Sequence, residues 1–137
     1  MAISAKLQFG DNDCEQYASE YPVLGYECRF SRHYEASTPD SDSRCSRISI
    51  VVVAPGRDNL ELFQWYVNQS YMTGRILLDV TEMVDSGGEY ATREIRFEDA
   101  RCFAIGEDYD NTVNRLRVLK LDIMAESLEI DSVKFNL

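Results

Sequence analysis

His33 is the only histidine of the chain. An imidazole titrates near neutrality, so a hydrolytic site would use it as a general base beside a Ser or Cys nucleophile. His33 stands in FSRHYE, where an apolar alternating run gives way to a polar stretch, and this reads as a solvated position. Cys45 follows it with no Cys-His signature around either residue. The four cysteines, Cys14, Cys28, Cys45 and Cys102, form no C-x-x-C pair. A zinc site needs close pairs or a neighbouring His, and neither is present. Cys28 and Cys102 fall inside apolar strand patterns and read as small core residues.

Two acidic clusters invite a cation. GEDYDNT offers Glu107, Asp108, Asp110 and Asn111, and GDNDCE offers Asp11, Asn12, Asp13 and Glu15. Neither has the central Gly and terminal Glu of a twelve-residue calcium loop, so both read as solvated loops. Gly87-Gly88 is followed by no Lys-Ser/Thr pair and reads as a turn, not a phosphate cradle. No catalytic, metal or cofactor constellation emerges, and the expectation is a protein without enzymatic activity or cofactor.

The elements that would have to position a site are mostly strands. Residues 3–9 alternate, with Ile3, Ala5, Leu7 and Phe9 on one face. Residues 21–30 alternate again, with Leu24, Tyr26, Cys28 and Phe30 together and Pro22 at the start or an edge. Residues 35–44, EASTPDSDSR, read as a polar loop, long for a hairpin and suited to contacts outside the domain. RISIVVVA, residues 47–54, is a strand whose second half is apolar on both faces, which predicts cover on both sides.

Residues 58–70, DNLELFQWYVNQS, are the one helical run. Asp58 or Asn59 caps it, and Leu60, Phe63, Val67 and Tyr71 form its apolar stripe, which Leu62 and Tyr66 widen, with the sole tryptophan, Trp65, off the main stripe. Strands follow at 75–80, 90–105 and 116–125, and a pattern through Leu128 and Ile130 changes parity at Asp131-Ser132 before a last strand to Leu137. In 90–105 the apolar face switches near Ala100, which calls for a bulge or a change of neighbour. Many short strands and one helix predict a sandwich or barrel forming a single domain over 1–137.

The formal net charge is −10. That excludes a nucleic-acid partner, which needs clustered cations to displace counterions, and disfavours anionic membranes. No apolar run reaches the ~20 residues of a membrane span, so no membrane insertion is expected. The N-terminus, MAISAKLQFGDNDC, lacks the apolar block of a signal peptide, and the cysteines are expected as thiols.

Four segments carry a resemblance. YECRFSRHYEASTP is an aromatic strand entering a long loop. ISIVVVAPGRDNLELFQWYVNQSYMTGRILLDV is a strand, an L-x-x-W helix and a G-x-I strand. REIRFEDARCFAIGEDYD and LRVLKLDIMAESLEI are the strand-and-loop and closing strand-and-turn that follow. In order and spacing these resemble the Hcp family in its divergent TssD branch, the tube proteins of bacterial type VI secretion. Members often carry an Asp and a Gly-Arg-Pro in the long loop, where this chain has HYEASTPDSDSR.

The resemblance implies a small mainly-β barrel of two packed antiparallel sheets with one flanking helix. It implies homohexameric rings that stack into a tube, served by contractile sheath, spike and baseplate proteins and carrying effectors in the lumen. Such a subunit assembles in the bacterial cytoplasm and is then exported. The inter-ring loop would be Glu35, Ser37, Thr38, Pro39, Asp40, Asp42 and Arg44. Candidates for the ring interface are Val51, Val53, Trp65, Ala100, Cys102 and Ala104. A phage-tail-like contractile injection particle and a small-molecule-binding β-barrel stand as alternatives. The barrel reading requires a roomy apolar interior, against which the large inward residues Phe9, Tyr26, Phe30 and Phe97 weigh.

Overall fold

The computed structural model describes the backbone of residues 3–35, 38–80, 92–110 and 116–136, and the side chains of 4–30, 47–78, 92–109 and 116–135. The elements run β1 (Ile3–Asp11), β2 (Gln16–Glu35), β3 (Thr38–Val53), α1 (Glu61–Asn68), β4 (Met72–Val80), β5 (Thr92–Asp110), β6 (Leu116–Met124), β7 (Ser127–Ile130) and β8 (Val133–Asn136). The strand order is β4-β1-β2-β3-β6-β5-β7-β8, and β4 also pairs with β5. That extra pairing closes a ring of strands, so the mainly-β, antiparallel architecture expected from alternation is present.

Two long strands serve both walls of the barrel. β2 pairs with β1 up to Pro22 and with β3 from Val23 onward. β5 pairs with β4 and β7 up to Ala100 and with β6 from Arg101. The face switch in 90–105 therefore has both of its anticipated causes: β5 changes neighbour, and its register shifts between Cys102 and Ala104. The parity change at Asp131-Ser132 is the β7–β8 turn, where both residues have positive φ.

Tight crossings dictate local residues. A Cβ on Gly74 would lie 2.0 Å from the Gln8 carbonyl oxygen across the β1–β4 ladder, so only glycine fits. Asn12, buried at the β1–β2 turn, donates through Nδ2 to the Gly74 and Phe97 carbonyls and accepts from the Tyr17 hydroxyl at 2.6 Å. One amide thus fastens a turn to two distant strands and satisfies polar groups that burial would otherwise leave unpaired.

The core is filled by Leu7, Phe9, Ile48, Ile50, Val52, Ile76, Phe97, Leu121 and Ile123. Phe9 sits at its centre, edge-on to Trp65 (5.2 Å), Tyr21 (6.0 Å) and Phe97 (6.1 Å). Phe9 and Phe97 fill it as anticipated, while Tyr26 and Phe30 are only half-buried at its margin.

The helix is shorter than its apolar pattern, and only part of the expected stripe, Leu62 and Phe63, packs inward. Only Glu61–Asn68 is helical, with the Asn59 side chain accepting from the Glu61 N–H and Gln69 left-handed at the end. Leu62 and Trp65 are its buried residues, whereas Leu60, Val67 and Tyr71 of the expected stripe are exposed. Trp65 is 1% exposed, and its indole N–H donates to the Ala100 carbonyl at 3.1 Å. Three ring-interface candidates have their side chains turned inward by this packing. Trp65, Ala100 and Cys102 all lie in the subunit's own core, because the helix seats its largest ring where β5 crosses between walls.

Candidate assembly surfaces

The β2–β3–β6–β5 wall has two open edges. From Val23 onward β2 pairs with β3, and among the described residues no strand lies on its other side. From Arg101 onward β5 pairs with β6, again with no strand on its outer side among the described residues. Unpaired edges present N–H and C=O groups ready for another chain, and lone globules blunt or cover them. Here exposed apolar residues flank them, alongside register shifts in both strands and exposed charges such as Glu27 and Arg29. Leu24 is exposed on β2, and beside the β5 edge Tyr66, Val67 and Phe103 line a groove of about 500 Å³. Phe103 is exposed at the register shift in β5, between Cys102 and Ala104.

The polar stretch expected as a loop is a two-stranded arm. β6 accompanies β3 only as far as Ile48, but β2 and β3 stay paired beyond it, through Ser31 with Arg44, Arg32 with Ser43, Tyr34 with Pro39 and Glu35 with Thr38. Backbone ladder bonds need no apolar side chains, so a sequence without an apolar anchor continues a ribbon zipped by the strong strands below it. Glu35, Thr38, Pro39, Asp40, Asp42 and Arg44 are placed together on this arm, whereas Ser37 lies outside the described residues. His33 is also on the arm, and its side chain lies outside the described residues.

The outward face of the wall carries short and charge-paired residues. Val51 lies opposite Lys120, Val53 opposite Val118, and Ala104 opposite Asp122. These three ring-interface candidates are half-buried; Val51 and Val53 lie on the inner strand β3, whereas Ala104 lies on the edge strand β5. The double cover expected for Val51 and Val53 is therefore partial within one subunit. Arg47 pairs with Asp122 at 3.0 Å, Lys120 with Asp108 at 3.7 Å, and the Ser49 hydroxyl donates to Asp122 at 2.7 Å.

The opposite wall is covered by a tighter network. Arg75 and Arg96 both hold Glu94, at 2.5 and 2.8 Å, and Arg75 also lies over the Tyr17 ring at 4.3 Å. Burial alone would raise the Glu94 carboxyl pKa, but the two guanidinium hydrogen bonds outweigh it and hold the group below its ordinary value. Burial pushes the Cys28 and Cys102 thiols up to about 11. Both are therefore protonated and poorly nucleophilic at neutral pH. Among the described residues no group of three or more His, Cys, Asp or Glu is placed to hold a metal.

Open edges and an arm escape a search for catalytic motifs, because backbone hydrogen-bonding capacity leaves no side-chain signature. The signal available was excess apolarity at Val51, Val53 and Phe103.

Comparison with curated proteins gives no match. Among solved structures, the chain is similar to Hcp1 from Flavobacterium johnsoniae, with 21% identity, 100% of both chains covered and a TM-score of 0.67. It is similar to Hcp1 from Salmonella typhimurium at 9% identity, over 95% of this chain and 86% of that one, with a TM-score of 0.68. Hcp3 from Pseudomonas aeruginosa matches at 9% identity, over 93% and 88%, with a TM-score of 0.55. At these identities the structures establish the fold. The family described as hemolysin coregulated protein Hcp (TssD) matches residues 1–136, and the chain therefore belongs to the Hcp/TssD family, the self-assembling, non-enzymatic tube proteins of type VI secretion.

Proposed function

We propose that this chain is a single tube domain that closes a homohexameric ring by joining the open β2 edge of one subunit to the open β5 edge of the next. The observation that carries this reading is that both edges belong to one wall of four alternating antiparallel strands. With an even number of strands, a rotated copy brings β5 against β2 in antiparallel sense. The alternation then runs on without a parallel junction. The contact is head-to-tail, so it uses two different surfaces of each subunit and closes when the rotation closes. The apolar residues beside the edges, Leu24 on one side and Tyr66, Val67 and Phe103 on the other, add area that water would otherwise cover.

In such a ring the four-stranded wall faces the lumen, with the barrel core, the other wall and α1 outside it. Val51, Val53 and Ala104 then line the bore where effectors travel, and the arms project from one end of the ring toward its neighbour. Rings assemble in the cytoplasm, stack with sheath, spike and baseplate proteins as template, and leave through the secretion apparatus. Size-exclusion light scattering with negative-stain microscopy tests the reading. Rings of six subunit masses are expected, and a monodisperse monomer at every concentration overturns it.

A further inference from the structure

Two glycines stand in strand interiors where the subunit gives no reason for them. A Cβ added to Gly25 on β2 or to Gly106 on β5 would meet nothing within 4 Å among the described residues, unlike one on Gly74. Neither has the positive φ that favours glycine, and both are exposed. Glycine weakens a strand interior, so its presence there marks a bend or the close approach of another backbone. The two are also paired in position. Gly25 lies opposite Val51, Val51 opposite Lys120, and Lys120 opposite Gly106, so one row crosses the four-stranded wall with a glycine at each open edge. The row is on the outward face, because Ile50, Val52, Leu119 and Leu121 on either side of it point into the core. Each edge strand also shifts register nearby, between Val23 and Gly25 in β2 and between Cys102 and Ala104 in β5. Bulges and glycines are the devices by which sheets bend.

We infer that Gly25 and Gly106 are the bending points of the ring, keeping the bore side of each junction free of side chains so that adjacent walls can turn toward one another. The inference rests on the ring reading above. A six-membered ring turns the wall by about 60° from one subunit to the next, with the bore on the concave side. Within a subunit the wall wraps its own core, which curves it the opposite way. The turn therefore falls on the junction, where Cβ atoms on the concave side converge and close packing leaves least room. Alternation sets outward residues of β5 against outward residues of β2, so both glycines lie on the crowded side at any stagger. Val51 and Val118, on the inner strands of the same face, carry ordinary side chains because no such bend occurs there.

Gly25→Val and Gly106→Val test this, with Val118→Ile as a control that adds bulk to the same face on an inner strand. Native mass spectrometry and sedimentation velocity read ring mass across a dilution series, and circular dichroism reads the fold. Each glycine variant is expected to keep the wild-type spectrum and a cooperative melt, because the side chain it gains meets nothing in the subunit and valine suits a strand. Its rings are expected to give way to monomers and open arcs. The concentration for half-assembly should rise at least about tenfold, since overpacking recurs at every junction. Val118→Ile is expected to match wild type. Rings of wild-type mass and dilution stability in either glycine variant overturn the inference. So does a glycine variant that loses its fold, which would place the need for glycine inside the subunit, and so does an equal loss of rings in Val118→Ile. In each of these cases wild-type rings leave the ring reading intact. A wild type that forms no rings sinks that reading, and this one with it.

Discussion

At the residue scale, Trp65 and Glu94 decide most. Trp65 fills the gap between α1 and the point where β5 changes walls, and its N–H satisfies the Ala100 carbonyl. Trp65→Ala is expected to cost about 3–5 kcal/mol, as truncation of a fully buried aromatic does. Trp65→Phe should cost less, leaving mainly the orphaned carbonyl. Denaturation followed by circular dichroism checks both, since either change removes the only tryptophan. Glu94 sets an acid limit. Folding lowers its pKa, so its contribution is present above the ordinary carboxylate value, about 4.3, and is lost as pH falls through the lower folded value. Wild type is therefore expected to exceed Glu94→Gln in stability at neutral pH. The gap should close below about pH 4, and urea midpoints across that range measure it.

At the element scale, the arm behaves as an extension rather than a support. Among the described residues, its backbone pairs only with itself beyond Arg29 and Arg47. Deleting residues 36–43 is expected to leave the barrel's melting temperature and ring mass nearly unchanged while shortening stacks seen by microscopy. The elements also show how far sequence carries. The strands were legible because one-sided burial imposes a period of two, and Asp131-Ser132 betrayed its turn by a parity change. The helix face is legible only in part, through Leu62 and Phe63, because apolar periodicity counts residues the helix does not contain. Leu60 and Tyr71 lie outside Glu61–Asn68, and over so short a span the bulk of Leu62 and Trp65 decides the orientation. The arm was read as a loop because polar composition hides ladder pairing. Of the assembly candidates, Glu35, Thr38, Pro39, Asp40, Asp42 and Arg44 share the arm, while the side chains of Trp65, Ala100 and Cys102 are held in the core.

At the scale of the whole molecule, charge and edges oppose each other. Each subunit carries a net charge of −10, and in the proposed ring the β edges would have to hold against that repulsion. Ring closure by backbone pairing and buried apolar surface, as proposed, would be short-ranged and barely screened, whereas repulsion between stacked rings would be long-ranged and fall with ionic strength. Raising salt from about 0.01 to 0.15 M shortens the screening length from roughly 30 to 8 Å. Ring mass is expected to stay constant across that change while stacking increases, as light scattering would record. Stacks that dissolve as salt rises would show that attraction between opposite charges dominates instead.

β2 and β5 each belong to both walls of the barrel, and each also supplies one of the open edges. A tube thrust through an envelope bears axial load. In this design the strand that would grip the neighbour continues unbroken past the centre of the subunit, beside Tyr21 on β2 and Phe97 on β5. Stress entering at a junction would be spread in shear over many ladder bonds and into the packed aromatic interior, with no hinge between the joint and the body. The same continuity would make the shaft stiff in compression and join its failure under force to the unfolding of the subunit itself.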